Sequence, residues 1–272
     1  MSDIPLVELD RNHPGFRDPR YRARRNELAA IALGYQSGTP IPELPYTEVE
    51  RGVWKVAHDH LLPLHAKYAC QSYLREWPTV GFRDDHIPSF QEINAVLGPR
   101  SGFRLEPVAG LVSPRVFMEK LAEGVFLATQ YIRHESEPLY TPEPDIIHEF
   151  IGHVPLLVDE RFARLNRMFG DATKRANDEQ VEKLIRLYWY TLEFGLVRSE
   201  VARHGKYEIV GAGLLSSYGE LGRFETEADI RPFDVETVAH TSFDPTDYQR
   251  TLFVSESVGA LDESLSRWLL SI

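Results

Sequence analysis

Cysteine is almost missing: Cys70 is the only one in 272 residues. One thiol builds no disulfide framework and no cysteine-based zinc or iron–sulfur site. It agrees with a reducing compartment, so a cytoplasmic location is expected. Long apolar runs are also lacking. Nowhere do 18 apolar residues follow one another, so no membrane span is expected. The opening Met-Ser-Asp-Ile-Pro-Leu-Val lacks the basic-then-apolar order of a signal peptide. Basic residues are the minority, 30 Lys and Arg against 41 Asp and Glu, for a net charge of −11. Gripping a phosphate backbone takes clustered Lys and Arg, so nucleic acid is not an expected partner. No internal repeat, low-complexity tract, Gly/Ser linker or strand–helix alternation is present. Solenoids, disordered tails and doubly wound sheets are thereby set aside.

What remains is ordinary globular material, 43% apolar and 26% charged. The length allows a sizeable core, and residues 1–272 read as one domain. Helix signals dominate. Asp18-Pro19 places a cap before a first-turn proline, and the pattern runs on to Gly34 or Gly38. Thr47/Glu50, Ser89/Glu92 and Asn177/Gln180 have capping-box spacing. Ser113-Pro114 opens a helix that Gly124 can close, and Asp159 to Gly170 looks similar. From Asn177 a long helix is expected through about Arg198, and Leu261, Leu265, Trp268 and Leu269 repeat at helical spacing near the end. Strand-like runs are short: 103–108, 125–132 and 206–210. The expected fold class is mainly α with minor short β-strands.

Ten histidines hint at metal chemistry. His58, His60 and His65 lie among Leu61, Leu62 and Leu64 and fit a helix packed on the core better than a metal site. The segment His148-Glu149-Phe-Ile-Gly-His153 is more telling. It is not the His-Glu-x-x-His of zinc proteases, whose histidines stand four apart on one helix face. Five apart, on a straight helix, turns the second ~140° away. The two converge only if the helix ends between them, and Gly152 with Pro155 just beyond offers that ending. A third donor is expected from the helix after Asn177. There Glu193 falls inside the apolar stripe of Leu184, Ile185, Tyr188, Trp189, Leu192 and Leu196. A carboxylate on a buried face costs several kcal/mol unless a cation meets it. Two histidines and a carboxylate suit a non-haem Fe(II) oxygenase, or zinc with an open position; the donors alone do not choose.

At these residues the sequence resembles the tetrahydropterin-dependent aromatic amino acid hydroxylases. The resemblance runs over nearly the whole chain: Asn12 to Arg25, Gly102 to Gly110, Thr129 to His134, Tyr140 to Leu157, Tyr188 to Leu196, and Gly211 to Glu220. It implies a mostly helical catalytic domain with one iron on His148, His153 and Glu193, using O2 and tetrahydrobiopterin or a related pterin. It implies further that Arg133 clamps the substrate carboxylate, where a guanidinium fork suits both oxygens. Thr141 would add a hydrogen bond to the amino acid, and Pro144, Trp189 and Phe194 would line its ring pocket. Ser216 would support His148 and the substrate end, and Glu149, Ser216 and Glu220 are the polar groups expected at the reaction. For the pterin, Phe117 would stack on the ring, Gly110, Leu111 and Val112 would offer backbone hydrogen bonds, and Glu149 and Tyr188 would lie close. Tyr46 falls where the family has a mobile lid.

Three departures stand out. Leu127 replaces a pterin-contacting His of many members, Pro114 replaces a Ser of animal members, and the loop between Phe194 and Gly213 is a few residues longer. A catalytic domain alone is expected, without the regulatory domain and the C-terminal tetramerisation tail of animal members, and with it a monomer. Pterin-recycling enzymes would be its functional partners. Trp189 matches phenylalanine and tyrosine hydroxylases rather than tryptophan hydroxylases, which have Phe there. Pro245 stands where tyrosine hydroxylases carry an Asp, with Asp244 beside it. Phe194 and Gly213 look like those of para-directing members. Phenylalanine 4-hydroxylation is therefore the leading expectation. Tyrosine 3-hydroxylation, tryptophan 5-hydroxylation and meta-hydroxylation of phenylalanine are the near alternatives. A zinc hydrolase using Glu149 as base is the distant one.

Overall fold

The computed structural model describes residues 6–199 and 206–272. Helices α1 (Pro19–Gly34), α2 (Glu48–Tyr68), α3 (Gln71–Val80) and α4 (Phe90–Ser101) form the first half. Their starts follow the side chains that precede them. Asp18 accepts from the Arg20 and Tyr21 N–H groups, and both the Thr47/Glu50 and Ser89/Glu92 capping boxes close. Each such cap is worth about 1 kcal/mol.

A parallel pair follows, β1 (Arg104–Val108) and β2 (Val125–Thr129), joined through α5 (Pro114–Leu121). Parallel strands need such a crossover, so one strand–helix–strand unit exists where the sequence suggests none. The strand expected over 125–132 ends at Thr129, and the chain then runs irregularly to Asp145. Next come α6 (Val154–Val158), α7 (Glu160–Arg175) and α8 (Asp178–Tyr188). Gly170 does not close its helix. Its hydrogen faces the Ala122 N and Met118 O backbone, so the glycine lets α7 lie on α5.

The long helix expected to Arg198 is cut short. It leaves α-geometry at Trp189, and Leu196–Arg198 is a strand, β3. With β4 (Tyr207–Ile209), β5 (Asp229–Pro232) and β6 (Thr251–Ser255) it forms a sheet of order β4-β3-β6-β5. Of these, only β4 is expected from sequence; β5, mostly exposed, lacks the apolar alternation that would betray it. Between them lie α9 (Ala212–Ser216), α10 (Tyr218–Leu221), α11 (Phe224–Glu227) and α12 (Val235–Ala239), and α13 (Val258–Ser271) closes the chain. Leu261, Leu265 and Leu269 of α13 are buried as their spacing predicts. The architecture is mainly helical with short strands. No helix among the described residues is long and apolar enough to cross a membrane.

Candidate active site

Two π-turns build the site. The chain is helical without a break from Ile146 to Val158, but His148–His153 takes π-geometry. Bonding from i to i+5 widens the turn by a residue, so side chains five apart share a face. The helix therefore does not end between the histidines, as the 3.6-residue periodicity suggested. Gly152 has another purpose: a Cβ there would come within 2.7 Å of the Ala212 carbonyl oxygen. The second π-turn, Trp189–Glu193, is sealed by Phe194 N–H donating to Trp189 O at 2.8 Å. Gly211 and Gly213 pack against its end. A Cβ on Gly211 would overlap the Glu193 carbonyl, and one on Gly213 would reach 2.8 Å from the Phe194 ring. Three glycines thus let α9 wedge between the two turns.

The three candidate donors come together. His148 Nε2 and His153 Nε2 are 3.0 Å apart. Glu193 Oε1 lies 3.2 Å from His153 Nε2, and its Oε2 lies 3.7 Å from His148 Nε2. Donors that each sit ~2.0–2.2 Å from one ion stand about 3 Å from one another, so the set fits a single transition metal. Glu149 also has a carboxylate oxygen within 4.8 Å of both imidazoles. Its Oε1, however, already accepts from Thr129 N–H at 3.1 Å and Thr129 Oγ1 at 3.2 Å. Glu193, at 3.2 and 3.7 Å from the two imidazoles, is the candidate third donor.

The surroundings prepare these groups. Ser216 Oγ is 2.9 Å from Ala212 O and 3.1 Å from Gly213 O, where it can only donate. Its lone pair, 3.0 Å from His148 Nδ1, accepts the imidazole proton. That fixes the tautomer and leaves the Nε2 lone pair for a metal. Burial drives His148 down to about 4, which keeps the ring neutral. Burial also opposes charge on His153 and Glu193, but each outweighs it for the other. The Glu193 carboxylate raises His153, while His153, His148 and the Gly213 N–H hold Glu193 below the usual carboxylate range. Burial pushes Glu149 up to about 7.

Arg133 is buried, with Nε and Nη2 bonded to Asp145 at 2.9 and 2.8 Å. Burial disfavours the Asp145 carboxylate, but Arg133 and two backbone N–H groups hold its pKa down. One of these is the His148 N–H, 3.2 Å away. Asp145, missed in the sequence, therefore ties Arg133 to the turn that carries His148. An acidic residue just before a helix was the available signal. Its removal would strand a buried charge, at a cost of roughly 3–5 kcal/mol. Thr141 Oγ1 is turned onto its own loop, donating to Glu143 O at 2.8 Å, and Pro144 O accepts from Thr129 Oγ1 at 3.3 Å. Trp189 is half-buried between Phe194, centroids 4.7 Å apart, and Phe243, stacked at 4.2 Å. Its Nε1 donates to Gln249 Oε1 at 2.9 Å. Phe243 and Gln249 were also missed, because nothing in their own neighbourhood points to a residue about sixty positions earlier.

Phe126 lies 4.7 Å from the His153 ring, Phe117 meets Phe126 at 5.2 Å, and Tyr188 meets Phe117 at 5.9 Å. Tyr188 is anchored through its hydroxyl to Asn166 Oδ1 at 2.9 Å. Gly110 and Val112 are half-buried and Leu111 is exposed, on the loop after β1. Leu127 pairs with Glu106 across the β1–β2 ladder, and Pro114 takes the first position of α5, where no N–H is needed. Tyr46 packs on the core and donates to Gln130 O at 3.0 Å. Glu220 makes no hydrogen bond to the donor set. Its Oε1 accepts from Gln249 N–H at 2.7 Å, beside a cavity of about 370 Å³. The part of the Phe194–Gly213 loop at 200–205 lies outside the described residues.

Comparison with known proteins decides the family. Residues 6–272 match the family described as biopterin-dependent aromatic amino acid hydroxylase. The chain belongs to that family. Among hydroxylase relatives, tyrosine 3-monooxygenase of Mus musculus is 43% identical over 266 residues, 96% of this chain and 53% of that protein. Phenylalanine-4-hydroxylase of Bos taurus is 43% identical over 271 residues, 98% of this chain and 59% of that protein. The chain thus spans about half the length of these curated hydroxylases. Phenylalanine hydroxylase from Chromobacterium violaceum, solved with iron(III) and oxidised 7,8-dihydrobiopterin, superposes with a TM-score of 0.76 at 28% identity. That match covers 89% of this chain and 90% of the bacterial one. The enzyme from Legionella pneumophila gives a TM-score of 0.77 at 29% identity, over 85% and 89%. Membership in this hydroxylase family overturns the zinc hydrolase alternative.

Proposed function

We propose that the chain is an iron- and tetrahydropterin-dependent monooxygenase that converts L-phenylalanine to L-tyrosine with O2. The observation that carries this reading is the His148, His153 and Glu193 set, with separations of 3.0 to 3.7 Å. Iron held there would supply O2 activation, with the pterin as electron donor.

The chain's own groups do the rest. Arg133, held on one edge by Asp145, offers its other edge to the substrate carboxylate. Thr141 caps the loop beside it. Trp189, Phe194 and Pro144 present apolar surface to the aromatic ring, and Trp189 is kept from tilting by Phe243 and Gln249. Phe117, Tyr188 and the 110–112 loop face the pterin. Glu149, with a pKa of about 7, is poised to hold or release a proton near it. Ser216 keeps His148 in its metal-binding tautomer. Glu220 acts at one remove, through Gln249. Tyr46 lies against the Gln130 backbone, where a lid would exclude water.

Phenylalanine is preferred over tyrosine on the loop after α12. Asp244 is the acid nearest to Pro245, and its Oδ1 accepts from Thr246 N–H at 2.9 Å and from the Thr246 hydroxyl. That oxygen is committed to its own turn. The test is a competition. Iron-loaded protein receives tetrahydropterin, O2 and equal phenylalanine, tyrosine and tryptophan, and the products are separated by chromatography and mass. Predominant para-tyrosine supports the reading. Predominant dihydroxyphenylalanine, 5-hydroxytryptophan or meta-tyrosine refutes the substrate assignment and keeps the family.

A further inference from the structure

Behind the donor set lies a buried pair that the proposed chemistry does not use. His65, in the last turn of α2, is 1% exposed, and Tyr73 on α3 is fully buried. His65 Nε2 lies 2.7 Å from the Leu215 carbonyl, so this nitrogen donates. The Tyr73 hydroxyl donates to the Ile151 carbonyl at 2.8 Å and lies 3.2 Å from His65 Nδ1. The rings meet edge to face at 5.0 Å.

The two carbonyls are special. Ile151 lies inside the π-turn, between His148 and His153. Its α-helical donor would be residue 155, but Pro155 has no N–H to give. A buried carbonyl without a partner is costly, and the Tyr73 hydroxyl provides one. Leu215 lies at the end of α9, where carbonyls also lack helical partners. It directly precedes Ser216, whose oxygen holds His148 Nδ1 at 3.0 Å. One pair from α2 and α3 therefore grips the backbone of the ligand-bearing turn and the backbone that carries the ligand's supporting hydroxyl.

We propose that His65 and Tyr73 are positioning residues for the metal site: together they hold the π-turn of His148 and His153 against α9. The inference rests on the metal assignment above, and its test separates the two. Apo-protein is titrated with Co²⁺ alone, followed by its visible absorption, with Tm measured alongside. Tyr73→Phe keeps the ring and loses only the hydroxyl. His65→Leu loses both nitrogens. Each should weaken Co²⁺ binding about ten-fold and shift the bands, the usual scale for groups that orient a ligand. His65→Gln keeps an N–H near the Nε2 position and should restore binding towards wild type. If Tyr73→Phe fails to fold, the contrast between His65→Leu and His65→Gln decides the matter: equal binding in the two overturns the proposal. If Tyr73→Phe and His65→Leu bind Co²⁺ as wild type does, with unmoved bands and only a lower Tm, the pair merely packs and the proposal is overturned. His153→Ala is the separate control: if it still binds Co²⁺ like wild type, the donor set itself is wrong.

Discussion

The wall that carries His148, His153 and Glu193 and the rim proposed to face the pterin and the amino acid differ in how they are made. In the wall, Gly152, Gly211 and Gly213 allow close contacts, and a Cβ on any of them meets a neighbour at 2.8 Å or less. Buried hydrogen bonds to Ser216 and from Thr129, Tyr73 and His65 occupy the polar groups there. In the rim, a Cβ on Gly110 would meet nothing within 4 Å, and Leu111 is exposed. Placing a metal needs donors held to fractions of an ångström, whereas a rim must let ligands pass. The wall is therefore where small changes should cost most.

The largest effect should come from the donors. Glu193→Ala should reduce metal content and hydroxylation together, more than about 100-fold, exceeding what groups behind a ligand contribute. Full metal loading of this variant in elemental analysis would sink the assignment.

Acid should attack the wall next. Burial lowers His65 to about 4 from an ordinary 6.5. The unfolded chain then takes up this proton more readily, so the stability it contributes is complete above pH 6.5 and is lost as pH falls towards 4. The full span amounts to roughly 3 kcal/mol. Urea unfolding at about pH 7 and about pH 4.5 should show a smaller acid loss in His65→Gln than in wild type; equal losses would contradict the assignment.

Gly211→Ala should destabilise the fold by about 1–3 kcal/mol, read from the denaturation midpoint, because its new methyl meets the Glu193 backbone. Trp189→Phe comes next. It should raise kcat/KM for tryptophan relative to phenylalanine by about 10-fold, the scale of a pocket size change; an unchanged ratio would remove Trp189 from the pocket wall. At the small end, Gly110→Ala should leave stability within about 0.5 kcal/mol. A loss as large as that of Gly211→Ala would erase the contrast between wall and rim.

Much of the wall was legible in the sequence, though for partly mistaken reasons. A carboxylate in an apolar stripe marks Glu193 whatever the local helix type, since the cost of burying it demands a cation. The His148–His153 spacing drew attention, but the 3.6-residue periodicity required a broken helix. The π-turn that solves the geometry lies just before Pro155, with Gly152 against Ala212 and with Tyr73 reaching Ile151 from another helix. Most of those contacts are not local, so no pattern within the segment shows them. Asp145, Phe243 and Gln249 escaped for the same reason: their meaning lies in Arg133 and Trp189, which other parts of the chain supply. Strands β3, β5 and β6 were passed over because short strands in a mixed sheet have too few residues to show alternation.

The sequence by itself determined the mainly helical class, the helix starts and the hydroxylase family motifs, and it singled out His148, His153 and Glu193 as candidate donors. Capping side chains, apolar spacing and a misplaced carboxylate act through local chemistry that can be read in order. Only the tertiary structure decided how those donors meet. A separation of 3.0 Å between His148 Nε2 and His153 Nε2 results from glycine-permitted contact and from hydrogen bonds across helices. Such distances come from packing and leave no trace in linear spacing.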